Sequence, residues 1–454
     1  MFGSPRGSAR RIMTSRAVVR SYFAITGVYT LSASLIWGIS TLFLLHAGLD
    51  ILDVFLTGAA FTAGNVLFDI PTGVVADTVG RRAAFLLSAP ILCAGTLAYV
   101  AIPHMGGHPL LLFMLASVVV GLGFSFYTGS IEAWLVDALA ATGFEGTLDA
   151  VFSRGAMVTG AAMLIGTLAG GLLGQIDLSL AYLARSALLV LAFVLALFQM
   201  HDLGFRQRPL RLATLRAELV AVAKSGLRYG WDQRSLRLLM LASAVQTGFM
   251  LWGFYAWQPY FQQLLQTDAV WFAGLIAAGV AASTMLGNAV VGHFARLCGK
   301  RTTLLLWAAS IQTAAAIAIG LAPSFPIALT SLLIATATLG VVEPVRQAYL
   351  HRMVASGRRA TVVSFDSMVG NLGGVGGQAG LGYLAKVSGY ATGYVVGGAA
   401  TALAIPLFLA IRWLAEDADH IVGKAGQDSP CAAQGLAGLG AVDDKARGAV
   451  SAPV

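Results

Sequence analysis

Four acidic side chains, Asp69, Glu132, Glu343 and Asp366, fall inside long apolar runs of this chain. A charge at the centre of a membrane-spanning helix costs about 2.5–3.5 kcal/mol, so such groups face a cavity or a partner. A carboxyl placed there either takes up and releases a proton or is held in a permanent ion pair. Arg346 lies one helical turn from Glu343, the spacing of a permanent pair, whereas Asp69 and Asp366 have no arginine within a turn of their own runs. Those two are the better titrating candidates, and salt bridges at an inner gate are the alternative for all four. Two other patterns carry no chemistry. His104 and His108 are four apart in a short loop with no third ligand nearby, so no metal site is expected. GVGGQA (374–379) fits a relaxed dinucleotide fingerprint but lies inside an apolar run with no preceding strand, so its glycines read as close helix packing and no cofactor is expected.

The elements that must hold these residues are membrane spans. Of 454 residues, 57% are hydrophobic and only 11% charged, where a soluble globular protein has about 25% charged. Stretches of about 20 apolar residues, enough to cross a bilayer, recur near 22–45, 54–76, 83–102, 110–138, 152–174, 178–200, 238–262, 270–294, 302–322, 325–350, 360–385 and 389–414. The expectation is an all-α membrane protein of twelve transmembrane helices. The net charge of +8 follows a topological pattern rather than a nucleic-acid footprint. Of 29 Lys and Arg, only Lys386 falls in an outer connection and only Arg185 lies well inside a span, leaving 27 on one face. Both termini are therefore expected in the cytoplasm. The first apolar run, about 24 residues, exceeds the 7 to 15 of a cleaved signal and reads as a retained span. Cys93, Cys298 and Cys431 give no readable disulfide framework.

The chain also echoes itself, as transporters built from repeats do. Trp37-Gly38 recurs as Trp252-Gly253 at an offset of 215, and GVVADTVGRR (73–82) as GHFARLCGKR (292–301) at 219. Glu132 matches Glu343, and SRGAMV (153–158) matches SFDSMV (364–369), both at 211. The organisation expected is a basic cytoplasmic N-terminus (1–20), two pseudo-symmetric six-helix bundles (21–200 and 237–415), a cytoplasmic linker (201–236) and a disordered cytoplasmic tail (416–454). Within the linker, Leu212, Leu215, Leu219 and Val222 share one side of a helix suited to the inner membrane surface. A solvated linker is the alternative.

Gly73, Asp77, Gly80, Arg81 and Arg82 resemble the signature loop between helices 2 and 3 of the major facilitator superfamily, G-x-x-x-D-x-x-G-R-R. Asp69-Ile70-Pro71-Thr72 is similar to the acidic-x-Pro-Thr run that precedes this loop in many bacterial members, and Gly292, Gly299, Lys300 and Arg301 stand at the second copy, with Arg296 replacing the aspartate. The resemblance implies that these five residues form a conformational gate, Asp77 and Arg81 helping to hold the halves together on the cytoplasmic side; a tight turn that only fixes topology is the alternative. It implies a central cavity lined by helices 1, 4, 7 and 10, whose midsections offer Tyr29, Trp37, Tyr127, Gln246, Trp252 and Tyr255 for an apolar or cationic organic solute. Packing between helices is the other role open to them. Arg185, in a helix the family places peripherally, is expected to snorkel outward. The R-x-x-Q-G of drug-proton antiporters is absent, Ser117 and Val120 standing at its Arg and Gln positions. The resemblance thus implies a monomeric, multi-pass secondary transporter of a bacterial plasma membrane, not an enzyme. Proton-coupled efflux of a small organic solute is the leading expectation; a metabolite importer and a non-transporting sensor are the alternatives.

Overall fold

A computed structural model describes residues 13–204, 224, 227–267, 269–354, 359–414 and 416–421. The proposed surface helix of the linker, most of the basic N-terminus and the tail beyond 421 lie outside the described residues. Within them the chain is helical from end to end. In the first half the helices are α1 (Ser15–Ser34), α2 (Ser40–His46), α3 (Ile51–Thr78), α4 (Arg81–Ala101), α5 (Leu110–Tyr127), α6 (Ser130–Ala141), α7 (Leu148–Ile176) and α8 (Leu178–Gln199). In the second they are α9 (Arg234–Leu265), α10 (Val270–Cys298), α11 (Arg301–Leu321), α12 (Phe325–Met353), α13 (Arg359–Thr401) and α14 (Ala404–Trp413).

Ten of the described helical stretches are long and apolar enough to cross a membrane. The difference from twelve arises at two places. The first apolar run is broken, because residues 35–39 leave the helix between α1 and α2. The last two runs form one helical stretch, Val362–Trp413, bent at Gly389, which has φ +85° and ψ 163°. A third break was unexpected: α5 stops at Tyr127 and α6 restarts after Gly129, whose φ of +74° ends the helix as a left-handed residue does.

Local chemistry sets the ends. Asp50 caps α3 in a reciprocal box, its carboxylate accepting the Asp53 N–H at 2.9 Å while Asp53 accepts the Asp50 N–H at 3.4 Å. Within each half, α3 packs on α5, α1 on α7 and α8, α9 on α13, and α12 on α10 and α11. The halves meet where α3 packs on α13 and α7 on α10. Each half has its own core toward the end that carries the arginine turns: Tyr22, Phe85, Trp134 and Leu135 in the first, Leu239, Met240, Leu305, Tyr349 and Phe408 in the second. A third core, with Phe55, Trp252, Phe261 and Tyr394, joins the halves at the opposite end.

Candidate functional site

A cavity of about 300 Å³ lies between the halves, walled by α1 to α5 and α8 on one side and α9 and α13 on the other. Its roof, at the arginine-poor end, is closed by polar contacts between the halves. The break at 35–39 frees backbone groups, and Gln258 from α9 satisfies one within it and one just past it. Its Oε1 accepts the Thr41 N–H at 2.9 Å and its Nε2 donates to the Trp37 carbonyl at 3.0 Å. Thr41 Oγ1 in turn donates to the Tyr255 carbonyl at 2.9 Å. Gln258 is 1% exposed, so these bonds are shielded from water. Further out, Lys386 pairs with Asp50 at 2.7 Å. Deeper in, Thr62 donates to Gln378 Oε1 at 3.3 Å. Gly58 permits this approach of α3: a Cβ there would stand 2.8 Å from both Gln378 Nε2 and the Tyr255 ring.

Toward the basic end, α3 and α13 line a cleft of about 210 Å³ with Asn65, Asp69, Thr128, Ser364, Ser367 and Asn371 on its walls. Asp69 is exposed to it, and no cation among the described residues forms an ion pair with this carboxylate. The other three acids are placed differently. Asp366 is 1% exposed and accepts from Arg346 Nη1 at 2.6 Å, so it stands in a pair made across two helices, where its own run had shown no arginine. Arg346 also reaches Glu343 at 3.2 Å, the pairing expected from their spacing, and Gln347 donates to Glu343 at 3.0 Å. Glu132 is half-buried in the first turn of α6, where the helix N-terminus favours a carboxylate.

The aromatic set divides. Tyr29, Trp37 and Tyr255 line the cavity. Tyr127 stacks on Tyr29 with ring centroids 3.4 Å apart and planes 9° apart. Trp252 is fully buried beside Phe55, Phe249 and Tyr394, and Gln246 is buried against Gln312 at 3.4 Å; neither is on the cavity wall. Among the cavity residues that sequence reasoning did not single out are Tyr99 and Tyr182, and Arg185 was singled out but not placed there. Arg185 corrects an expectation, since it turns inward on α8 and is 8% exposed rather than snorkelling to the surface. A lone intramembrane charge was the signal that pointed to it.

At the signature turn, Arg81 pairs with Asp77 at 2.8 Å, both partly exposed. Gly80 adopts φ +133° and ψ 152°, a conformation reserved for glycine, and Gly73 lies in α3. The Arg82 backbone N–H donates to Asp202 Oδ1 at 3.1 Å and its guanidinium to the Leu197 carbonyl at 2.9 Å. None of these partners belongs to the second half.

The family model described as Major Facilitator Superfamily matches residues 22–287 and 272–447. Among solved structures the chain is similar to the nucleoside transporter NupG, with 11% identity, a TM-score of 0.71, and coverage of 87% of this chain and 99% of that one. It is also similar to a POT family transporter in complex with 5-aminolevulinic acid, at 14% identity, TM-score 0.68 and coverage of 87% and 95%. The human organic anion transporter MFSD10 (TETRAN) matches at 17% identity, TM-score 0.59 and coverage of 87% and 99%. At these identities the likeness is one of fold. No curated protein matches this sequence.

Proposed function

The chain belongs to the major facilitator superfamily, and on that premise we propose that it is a secondary active transporter, carrying a small organic solute through the central cavity by alternating access. One observation carries the reading. Among the described residues, the side-chain hydrogen bonds and ion pairs that join the halves, Thr41 and Trp37 to Gln258, Thr41 to Tyr255, Asp50 to Lys386, Thr62 to Gln378 and Gln175 to Trp271, lie between mid-depth and the arginine-poor end. At the basic end the halves part around Asp69. A cavity bridged over on one side, with a second cleft between the halves on the other, fits one of the two states that alternating access requires.

The reading includes twelve crossings with both termini in the cytoplasm of a bacterial cell. Supporting this, the 52-residue stretch Val362–Trp413, bent at Gly389, is about 78 Å long at 1.5 Å per residue, over twice a bilayer core. The clustering of arginines at one end supports the orientation. Asp77 and Arg81 act as the cytoplasmic gate, their pair opening when the halves close there. Transport is outward and coupled to a proton carried by Asp69, the acid that faces the open cleft without an ion-pair partner among the described residues.

Inverted membrane vesicles offered candidate solutes from the outside, with and without an imposed pH gradient, test this. Gradient-dependent accumulation that Asp69→Asn abolishes is the expected result. Accumulation that ignores both the gradient and the substitution removes proton coupling, and no accumulation of any solute removes efflux.

A further inference from the structure

Among the described residues, Arg185 has no counter-charge. It is as buried as Arg346, 8% against 7% exposed, yet Arg346 is matched by Asp366 and Glu343, while no carboxylate among the described residues forms an ion pair with Arg185. Its Nε has no hydrogen-bond partner. The titratable side chains acting on it are Tyr29, Tyr99, Tyr182 and Cys93, all ordinarily neutral at pH 7. A guanidinium held out of water without a partner is strongly disfavoured, and the deficit is removed when an anion arrives. Two more polar groups on the same walls, the Tyr182 and Ser40 hydroxyls, are buried without partners. The remaining lining is mainly apolar and aromatic, with Trp37 set edge-on to Phe254 at 6.2 Å, and its polar members include Thr57, Thr62, Thr96 and Gln378.

We propose that the cavity takes an organic monocarboxylate, its carboxylate bound by Arg185 with the Tyr182 and Ser40 hydroxyls donating, and its apolar body lying against Trp37, Phe61 and Phe254. This rests on the reading of the cavity as the solute site. A single positive charge balances a single negative one, which favours a carboxylate over a phosphate dianion. The cationic solute expected from the aromatic residues alone is disfavoured, because it would share a low-dielectric site with an unpaired like charge. Bidentate binding by arginine also orients the solute, which a lysine would do less well.

The test uses the full chain in lipid nanodiscs and three probes that share one body at pH 7: 3-phenylpropionate, 3-phenylpropionamide and 3-phenylpropylamine. Binding, read by tryptophan fluorescence, is expected to favour the anion over the amide by about tenfold or more, with the amine weakest. Arg185→Gln brings the three within about twofold, and Arg185→Lys keeps the order at reduced affinity. If Arg185→Gln does not fold, the wild-type order and the Lys variant decide. Amide or amine binding as tightly as the anion, an anion preference that survives Arg185→Gln, or no binding of any probe would overturn the proposal. Flux in proteoliposomes is measured separately. Anion binding without flux leaves the site assignment standing and removes transport; flux of the amide or amine without the anion does the reverse.

Discussion

The two arginine turns echo each other in sequence but make different contacts. In both, a glycine with positive φ, Gly80 at +133° and Gly299 at +64°, precedes a helix that opens on an arginine. In both, an aspartate from the end of the same half accepts the second backbone N–H of that helix: Asp202 from Arg82 at 3.1 Å and Asp419 from Thr302 at 2.7 Å. The arginines then part company. Arg81 holds only its own turn, through the partly exposed Asp77. Arg301, 8% exposed, donates to the carbonyls of Ala418 at 2.7 Å and His420 at 2.6 Å, so the chain just beyond α14 straps the second turn down. Arg296, at the position of Asp77, bonds back to the Gly292 carbonyl at 3.1 Å. An exposed ion pair can be exchanged for little energy, whereas a buried guanidinium on two carbonyls cannot. The first copy suits a moving contact and the second a fixed one.

The sharpest way to break this comparison is to fill the glycines. Gly80→Val combines backbone strain of about 1–3 kcal/mol with a collision, since its Cβ would stand 2.9 Å from an Asp202 carboxylate oxygen. Gly299→Asn meets open space and a left-handed conformation that asparagine tolerates. Thermal unfolding in detergent should fall far more for the first variant; equal losses would erase the distinction. Next in size, Arg301→Ala should cost about 1.5–3 kcal/mol of stability and Arg81→Ala less than about 1 kcal/mol. Here calorimetry gives the stability order, and transport slowed in Arg81→Ala at unchanged stability is the signature of a gate. The two caps should differ modestly, within the range of about 0.5–2 kcal/mol for a lost cap. Asp419→Ala is the costlier, because its carboxylate is 3% exposed and also accepts the Thr302 hydroxyl at 2.7 Å.

The smallest effect concerns pH at the other end of the molecule. Burial pushes the Asp50 carboxyl up, but the Lys386 hydrogen bond, the Asp53 backbone N–H and the Lys386 charge outweigh it and hold the group below the usual carboxylate range. A lowered pKa contributes stability above the ordinary value of about 3.9 and loses it as pH falls through the lowered one. The outer ion pair should therefore persist unchanged from about pH 8 to 5. A change over that interval in the distance between spin labels placed beside Asp50 and Lys386 would contradict this.

Much of the architecture was legible because it is written in composition along the chain. Apolar runs mark the crossings, arginines mark one end, and Gly80-Arg81 against Gly299-Lys300-Arg301 marks the repeat. The strap at Asp419 was not legible, since nothing in the local sequence around Asp419 points 117 residues back to Thr302. The same holds for Arg346 with Asp366: spacing within a run reveals a neighbour one turn away, but a partner on another helix only appears when the helices pack. The breaks at 35–39 and at Gly129 were hidden because an apolar run looks the same whether or not its backbone is continuous. Gln258, whose amide closes the first break, lacked a visible reason until that break was seen. Arg185 was legible as an anomaly and misread in direction, because the side of α8 that faces the cavity depends on packing against α1 and α4.

The most direct measurement places spin labels in pairs at both ends of the molecule in a lipid bilayer, Val79 with Leu297 at the basic end and Met105 with Leu321 at the opposite end, all exposed positions. Pulsed distance measurements are taken with and without a solute that the protein is shown to move. Alternating access predicts opposite changes, the basic-end distance shortening in the population where the other end lengthens. Both distances holding still while solute crosses, or both lengthening together, would contradict it.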